Sequence, residues 1–398
     1  MRVCVENSQI SGRIKAIPSK SYAHRIAICN FLSGKEPTGN AGEFFSKDIF
    51  ATEDCLKRVL DGEQVLDCGE SGSTLRFLLP LLSAIGGEYE FILHGKLANR
   101  PNDQLFSVLN SHGVKTVQDK TIKISGKLTS GEYTIRGDVS SQYVSGLLMA
   151  LPTLEGDSKI TLLTPLASKS YVDITLEVLS GYGINIQKLE NGYFINGNQK
   201  FEGNLLPEGD WSNMAVFLVA GGILGDISVT GLNANSVQGD RKILEILQDA
   251  GVKIEVEKDT VKVYKSEIRA FSFDADDTPD LVPIASVLGG CAKGQTVIKK
   301  VERLKIKESN RIDSTIKMLA SFGINAEYKN DSIIINGNKI KRGVVDSFND
   351  HRIVMAGTIF GSIAEGESQI LGAQAVEKSY PTFFRDYKSV GGKVFDDN

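Results

Sequence analysis

Apolar and polar positions along this chain fall into two recurring local patterns. In the first, an amphipathic helix ends at a glycine and gives way to a strand and a hairpin. It reads Leu109-Asn110-Ser111-His112-Gly113-Val114 and Leu179-Ser180-Gly181-Tyr182-Gly183-Ile184, and returns as Leu247-Gln248-Asp249-Ala250-Gly251-Val252 and Leu319-Ala320-Ser321-Phe322-Gly323-Ile324. Glycine there fits a left-handed cap that strains other residues. In the second pattern, a helix rich in small apolar residues passes through a glycine into a β-branched strand, as from Phe217 through Gly225 to Val229. The run Phe217-Leu218-Val219-Ala220-Gly221-Gly222-Ile223-Leu224 is apolar nearly all round, which predicts a helix inside a domain rather than on its surface.

The glycines that close the second pattern include Gly87, Gly156, Gly225 and Gly294, at equal intervals of 69 residues. Looser copies of the pattern end near Gly34, Gly87 and Gly366. Equal spacing over three intervals indicates tandem structural units. Each reads strand–helix–strand–helix–strand–strand, and such a unit cannot bury its faces alone, so the copies must pack on one another. The expectation is an α/β protein of six βαβαββ repeats, three per lobe. The turn-rich polar break Pro207-Glu208-Gly209-Asp210 marks the crossover, with the first strand returning to the later lobe. That gives lobe I as 1–19 plus 208–398, and lobe II as 20–207.

Composition narrows the function classes. With 398 residues, 41% of them hydrophobic, the chain can bury a substantial core. Its net charge of −4 argues against a general nucleic-acid binder. Five cysteines, an odd number without a CxxC pair, read as reduced thiols of a cytoplasmic protein. The N-terminus reads as a strand rather than a signal peptide, and no uninterrupted apolar run of ~18 residues suggests a membrane span. His24, His94, His112 and His351 fall in different repeats without metal-ligand spacing, so no metal is expected.

Candidate chemistry gathers where the buried helices begin. These starts read Pro18-Ser19-Lys20-Ser21, Gly69-Glu70-Ser71-Gly72-Ser73-Thr74-Leu75-Arg76, Gly137-Asp138-Val139-Ser140-Ser141-Gln142, Gly209-Asp210-Trp211-Ser212, Asp276-Asp277-Thr278-Pro279-Asp280 and Asn349-Asp350-His351-Arg352. Asp210 and Ser212 are ordinary N-caps. Capping does not require Lys20, Arg25, Arg76 or Arg352, which put cations at the anion-attracting ends of helices. Loops add Arg100, Lys169, Lys378 and the stretch Lys305-Ile306-Lys307-Glu308-Ser309-Asn310-Arg311, which places Lys307 and Arg311 on one helix face. Singly, each is an ordinary solvated charge. Together they suit bidentate binding of carboxylate or phosphate. If the buried helices of each lobe point one way, two faces of positive helix ends would form a cleft for a multiply anionic ligand.

In order and spacing, these motifs resemble the 5-enolpyruvylshikimate-3-phosphate synthase family nearly from end to end. The resemblance implies a two-lobed, enolpyruvyl-transferase-type fold, an inside-out α/β barrel. It implies that Lys20, Ser21, Arg25, Ser140, Ser141, Gln142, Ser168, Tyr171, Asp280 and Lys307 hold shikimate-3-phosphate. It implies that Lys20, Gly72, Arg100, Gln142, Arg311, His351, Arg352 and Lys378 hold phosphoenolpyruvate. Asp280 would accept the hydroxyl proton, Glu308 would serve proton transfer at carbon, and Lys20 would act as acid toward phosphate. No cofactor, nucleic acid or membrane is implied, a monomer is expected, and two half-sites on separate lobes imply closure on substrate. The chain departs from the family pattern at Glu70 (usually Asn), Ser170 (commonly Pro), Asn310 (usually Asp) and Arg303 (near a polar Asn). Two alternatives remain. A sister transferase acting on UDP-N-acetylglucosamine would carry a reactive cysteine before Arg100, and Leu93 to Asn99 has none. A non-catalytic anion-binding scaffold could dispense with Asp280 and Glu308, and both are present.

Overall fold

A computed structural model describes residues 1–40, 42 and 46–397. Its α-helices alternate in kind along the chain. Those numbered odd in chain order are buried nearly all round: α1 (Lys20–Leu32), α3 (Gly72–Ile85), α5 (Ser141–Ala150), α7 (Trp211–Leu224), α9 (Val282–Cys291) and α11 (His351–Ile363). The even ones bury one face: α2 (Lys47–Leu60), α4 (Asp103–Asn110), α6 (Lys169–Gly181), α8 (Ile243–Asp249), α10 (Arg311–Ser321) and α12 (Phe383–Ser389). Small residues explain the odd set: Ala, Gly and Ser let neighbouring backbones approach from every side. In α1 the buried stretch from Tyr22 to Asn30 includes His24 and Arg25, so the helix has no polar face of the kind its apolar spacing suggests.

The chain divides into two compact units. A split unit comprises Met1–Pro18 with Glu208–Asn398, and a continuous unit comprises Ser19–Pro207. Ser19 thus lies in the continuous unit, one residue away from the expected boundary, because its carbonyl already accepts from the Ala23 N–H in α1. Within the split unit, the first strand, Arg2–Glu6, lies between Ser368–Leu371 and Lys393–Asp397, antiparallel to both. The two chain ends therefore complete one sheet.

Three of the four-stranded sheets share one plan, in which the strand before an odd helix pairs in parallel with the strand after it and a hairpin then continues the sheet antiparallel. In the other two, strands from the start of the chain stand in: Gly12–Lys15 takes the leading place beside Ile227–Thr230, and Arg2–Glu6 takes the next place beside Ser368–Leu371. For α3, Val65–Asp67 runs parallel to Gly87–Ile92, which continues into Ile122–Gly126 and Val114–Gln118. Gly156, Gly225 and Gly294 each stand between an odd helix and its following strand, and Gly87 opens the strand after α3. At Gly87 and Gly294, φ is +112° and +110°, where a side chain would be strained.

The repeat built on α1 and α2 differs. Five four-stranded sheets form among the described residues, three in the split unit and two in the continuous one. Between Leu32 and Val65 the described residues form α2 and no strand. Among the described residues, the sixth repeat is a helix pair without a four-stranded sheet of its own. Its connection, Gly34-Lys35-Glu36-Pro37-Thr38-Gly39-Asn40, is polar and rich in breakers and lacks β-branched alternation. It lies against α1 instead: Asn30 Nδ2 donates to the Thr38 carbonyl at 2.8 Å, and a Cβ at Gly39 would stand 2.6 Å from the Ala23 carbonyl oxygen.

In the continuous unit, α3 and α5 meet at Gly146. A Cβ there would sit 2.5 Å from the Arg76 carbonyl oxygen and 2.8 Å from Pro80 Cγ. This contact brings the polar starts of both helices together. Gly146→Ala should destabilise the protein by about 1–3 kcal/mol through overpacking, offsetting any gain in helix propensity. Urea unfolding monitored by circular dichroism checks this; an unchanged or higher midpoint would contradict the close packing.

Candidate functional site

In the continuous unit the polar groups come from the starts of α1, α3, α5 and α6. Lys20 opens α1, and its Nζ donates to Asp48 Oδ2 in the first turn of α2 at 2.7 Å. Arg25 lies one turn further in and is 2% exposed. Its Nε donates to Thr175 Oγ1 at 2.6 Å, Nη1 to the Ser21 carbonyl at 2.6 Å and Nη2 to the Tyr171 carbonyl at 2.8 Å. Burial pushes its pKa down to about 10. This cation thus braces the segments that carry Ser21 and Tyr171.

Gly72 begins α3, and Ser71 caps it by accepting from the Thr74 N–H. A Cβ at Gly72 would stand 2.7 Å from Arg100 Nη1 and 3.1 Å from Arg76 Nη1, so two guanidiniums converge on this helix start. Arg100 Nε is buried and has no hydrogen-bond partner among the described residues. Arg76 donates to Gln142 Oε1 at 2.8 Å, and Gln142 Nε2 donates to Ser73 Oγ at 2.9 Å. Ser140 caps α5, which opens at Ser141. Ser168 precedes α6 at φ +52°, a left-handed conformation uncommon for a non-glycine residue. Lys169 is engaged with Asp173 and exposed.

In the split unit, one buried arginine gathers the acidic groups. Arg311 is 1% exposed. It donates from Nη1 to Asp280 Oδ1 at 2.6 Å, from Nη2 to Glu308 Oε2 at 2.7 Å and from Nε to Asp350 Oδ2 at 3.0 Å. Asp350 is fully buried, caps α11 through the Arg352 N–H at 2.9 Å and accepts from Ser309 Oγ at 2.9 Å. Arg352 Nη1 donates to the Ser212 carbonyl at 2.8 Å, and its Nη2 stands 3.5 Å from Asp280 Oδ2. Lys378 Nζ donates to the Asn349 carbonyl at 2.8 Å, beside buried His351.

Electrostatics follow from this crowding. Burial alone would raise the Asp280 pKa, but Arg352, Arg311 and Lys307 together hold it well below the usual carboxylate range. Burial pushes Lys307 down to about 8, against the pull of Asp280 and Glu308. Burial would weaken the proton on Arg311, yet Asp350, Glu308 and Asp280 raise its pKa well above the ordinary value. Asp240, 4% exposed, is pushed up to about 7, first by burial and then by the like charge of Asp280.

Among the expected residues, the structure brings together Gly72, Arg100 and Gln142 in one unit, and Asp280, Glu308, Arg311 and Arg352 in the other. Lys307 and Arg311 do not share a helix face. A 3-10 turn spans Glu302–Ile306, Lys307 is extended, and α10 starts only at Arg311. Asn310 is the reason, since its side chain caps α10 and ends any helix running in from Lys305. Lys305 pairs with Glu302, leaving Glu308 to Arg311. Four further residues belong with these sets. Arg76 and Asp350 stood inside the motifs, Arg76 within α3 and Asp350 as the cap of α11, without a sign of which partners they hold. Asp48 and Asp240 had no local signal, since only the fold brings them to Lys20 and Arg352.

The family model of EPSP synthase (3-phosphoshikimate 1-carboxyvinyltransferase) matches residues 40–387. A 3-phosphoshikimate 1-carboxyvinyltransferase of Clostridium kluyveri is 40% identical, covering 98% of this chain and 98% of its own. One from Clostridioides difficile is 38% identical over 97% of each chain. Among solved structures, an EPSP synthase of Acinetobacter baumannii has a TM-score of 0.79 at 22% identity, covering 99% of this chain and 100% of that one. The enolpyruvyl transferase NikO of Streptomyces tendae has a TM-score of 0.77 at 15% identity, covering 99% and 98%.

Asp240 gives a pH prediction. Unfolded, it titrates in the ordinary carboxylate range near pH 4; folded, it keeps its proton to about pH 7. Folding therefore takes up a proton between these values, and this contribution to stability is lost as pH rises through that window. Asp240→Asn, which cannot ionise, should be more favourable relative to the parent at pH 8 than at pH 4, by at least ~1 kcal/mol. Urea unfolding of both proteins at the two pH values measures it, and an equal difference at both would contradict the raised pKa.

Proposed function

The chain belongs to the EPSP synthase (3-phosphoshikimate 1-carboxyvinyltransferase) family, and on that premise we propose how its residues divide the work. The reaction transfers the enolpyruvyl group of phosphoenolpyruvate to the 5-hydroxyl of shikimate-3-phosphate and releases phosphate. The hydroxyl oxygen bonds to C2 as a proton is added to the methylene carbon C3. That carbon then returns a proton as the C2–O bond to phosphate breaks.

The observation that carries the assignment is the gathering of Asp280 and Glu308 on one buried guanidinium, Arg311. We assign Asp280 to take the hydroxyl proton and Glu308 to deliver and recover the proton at C3. Lys20, anchored by Asp48, is assigned as the acid toward the departing phosphate. As it stands, Asp280 is a weak base, because Arg311 and Arg352 stabilise its charge. An incoming carboxylate or phosphate that accepts from those arginines would add a like charge beside Asp280 and raise its basicity when substrate is present.

The remaining assignments are made unit by unit. In the split unit, Arg311, Arg352, His351 and Lys378 are assigned to phosphoenolpyruvate, with Lys307 toward shikimate-3-phosphate. In the continuous unit, Arg100, Gly72, Gln142 and Lys20 are assigned to phosphoenolpyruvate. Ser21, Ser140, Ser141, Gln142, Ser168 and Tyr171 are assigned to shikimate-3-phosphate, with Lys20 shared and Arg25 bracing Ser21 and Tyr171 from behind. Glu70 is given no ligand role. We read the protein as a cytoplasmic monomer; its five cysteines are free thiols, and no described helix is long and apolar enough to cross a membrane.

Asp280→Ala and Glu308→Gln should each lower kcat about 1,000-fold while leaving both substrate KM values within a few-fold, as expected for groups that move protons in the transition state. Phosphate release at saturating substrates measures this. Full turnover by either variant would remove that residue from its assigned role.

A further inference from the structure

His24 is a buried titratable group that the assigned mechanism leaves idle. It is 1% exposed, on α1, with its ring edge-on to Phe77 at 6.4 Å between centroids. Its Nδ1 lies 2.7 Å from Thr52 Oγ1 on α2. Thr52 Oγ1 lies 2.6 Å from Thr74 Oγ1 on α3, and Thr74 Oγ1 donates to Ser71 Oγ at 2.7 Å. Thr52 and Thr74 are fully buried and Ser71 is 1% exposed. The row of polar groups therefore runs from the imidazole to the cap of α3 out of contact with bulk water.

Hydrogen counting gives this row a direction. A hydroxyl has one proton to donate. Between Thr74 and Ser71 the bond angles make Thr74 the donor, at 2.7 Å, which spends its one proton; the Asp48 carbonyl, 3.3 Å away, is a weaker acceptor. In the hydrogen bond between the two threonines, Thr52 must then be the donor. Thr52 in turn can accept from His24 only if Nδ1 carries the imidazole hydrogen. Nε2 is then a bare lone pair, and it is buried with no hydrogen-bond partner among the described residues. Burial, then the charges of Lys20 and Arg25, lowers the His24 pKa well below its ordinary value, so the ring is neutral. At the other end, Ser71 Oγ already accepts twice, from Thr74 Oγ1 and from the Thr74 N–H at 3.2 Å. Its own proton has no acceptor among the described residues. That O–H stands at the cap of α3, next to Gly72, where the guanidiniums of Arg76 and Arg100 converge.

We propose that His24 is a positioning residue: through Thr52 and Thr74 it fixes the Ser71 hydroxyl as a donor toward an anionic group of the substrate at the start of α3. The identity of that substrate as phosphoenolpyruvate rests on the function proposed above. The direction of the hydroxyl row does not. Reversing the row would turn a lone pair, rather than a proton, toward the anion, which is repulsive where water cannot screen it.

Two measurements on the full chain test this. The first is the His24 tautomer, read from nitrogen–carbon-proton correlations of histidine-labelled protein near pH 7.5 and assigned by the signal lost in His24→Asn. An Nδ1–H tautomer is expected; an Nε2–H or doubly protonated ring overturns the relay, whatever the enzyme turns over. The second is steady-state kinetics. His24→Leu should raise KM for phosphoenolpyruvate about tenfold, as for a lost hydrogen bond to a charged group, with kcat and KM for shikimate-3-phosphate within about twofold. His24→Asn, whose amide N–H replaces Nδ1–H, should restore most of it. In a Ser71→Ala background, His24→Leu should add little. Equal effects of Leu and Asn, or additive effects with Ser71→Ala, contradict the proposal. A parent with the Nδ1–H tautomer but no turnover of these two substrates would instead refute the functional reading and leave the relay standing.

Discussion

The chemistry of the split unit depends on a single charge held away from water. Arg311 is buried, and isolated burial of a guanidinium would be prohibitive. Three carboxylates make it tolerable: Asp350 from behind, Asp280 and Glu308 from the sides. The planar fork fixes where each carboxylate oxygen lies, as an ammonium could not. Asp350 is the rear support. It also caps α11, so the same carboxylate that holds Arg311 sets the first turn from which Arg352 projects. Two carboxylates, Asp280 and Glu308, and a second arginine thus derive their positions from one ion cluster, in which Arg311, Arg352 and Lys307 stand among Asp280, Glu308 and Asp350.

The helix plan explains why such clusters can form at all. Helices buried on every side are packed through small residues, so their starts open onto polar ground only at one end. There the backbone N–H groups lack intrahelical partners, and side chains such as Ser71, Ser140, Asn310 and Asp350 supply them. Cations then stand beside groups that already attract anions. That arrangement does little for stability, but it is suited to gathering two negatively charged substrates. Arg100 and Gly72 show the same economy: the missing side chain at Gly72 leaves the space that the Arg100 guanidinium occupies.

Much of this was legible in the sequence, and the parts that were not have identifiable causes. The equal spacing of Gly87, Gly156, Gly225 and Gly294 located the junctions between buried helices and strands, because a tandem fold repeats its backbone requirements. The helix starts announced themselves through capping residues with cations that caps do not need. That α1 and α2 have no sheet of their own among the described residues was hidden, because repeat logic fills in a strand wherever a copy is expected, and only the breaker-rich run from Gly34 to Asn40 spoke against it. The supposed helix face joining Lys307 and Arg311 failed for a local reason, the cap at Asn310. Asp48, Asp240 and the row from His24 to Ser71 depend on residues far apart in the chain. Nothing in their neighbours marks them, and only packing brings them into contact.

The central claim is that the geometry of the Arg311 fork, and not its charge alone, sets the working positions of Asp280 and Glu308. Arg311→Lys keeps the charge but cannot bridge three carboxylates at once. Steady-state phosphate release from shikimate-3-phosphate and phosphoenolpyruvate, on a variant whose near-ultraviolet circular dichroism matches the parent, tests this directly. The account predicts a fall in kcat of about 100-fold, the scale expected when reacting groups shift by about an ångström. A kcat within about twofold of the parent would contradict it.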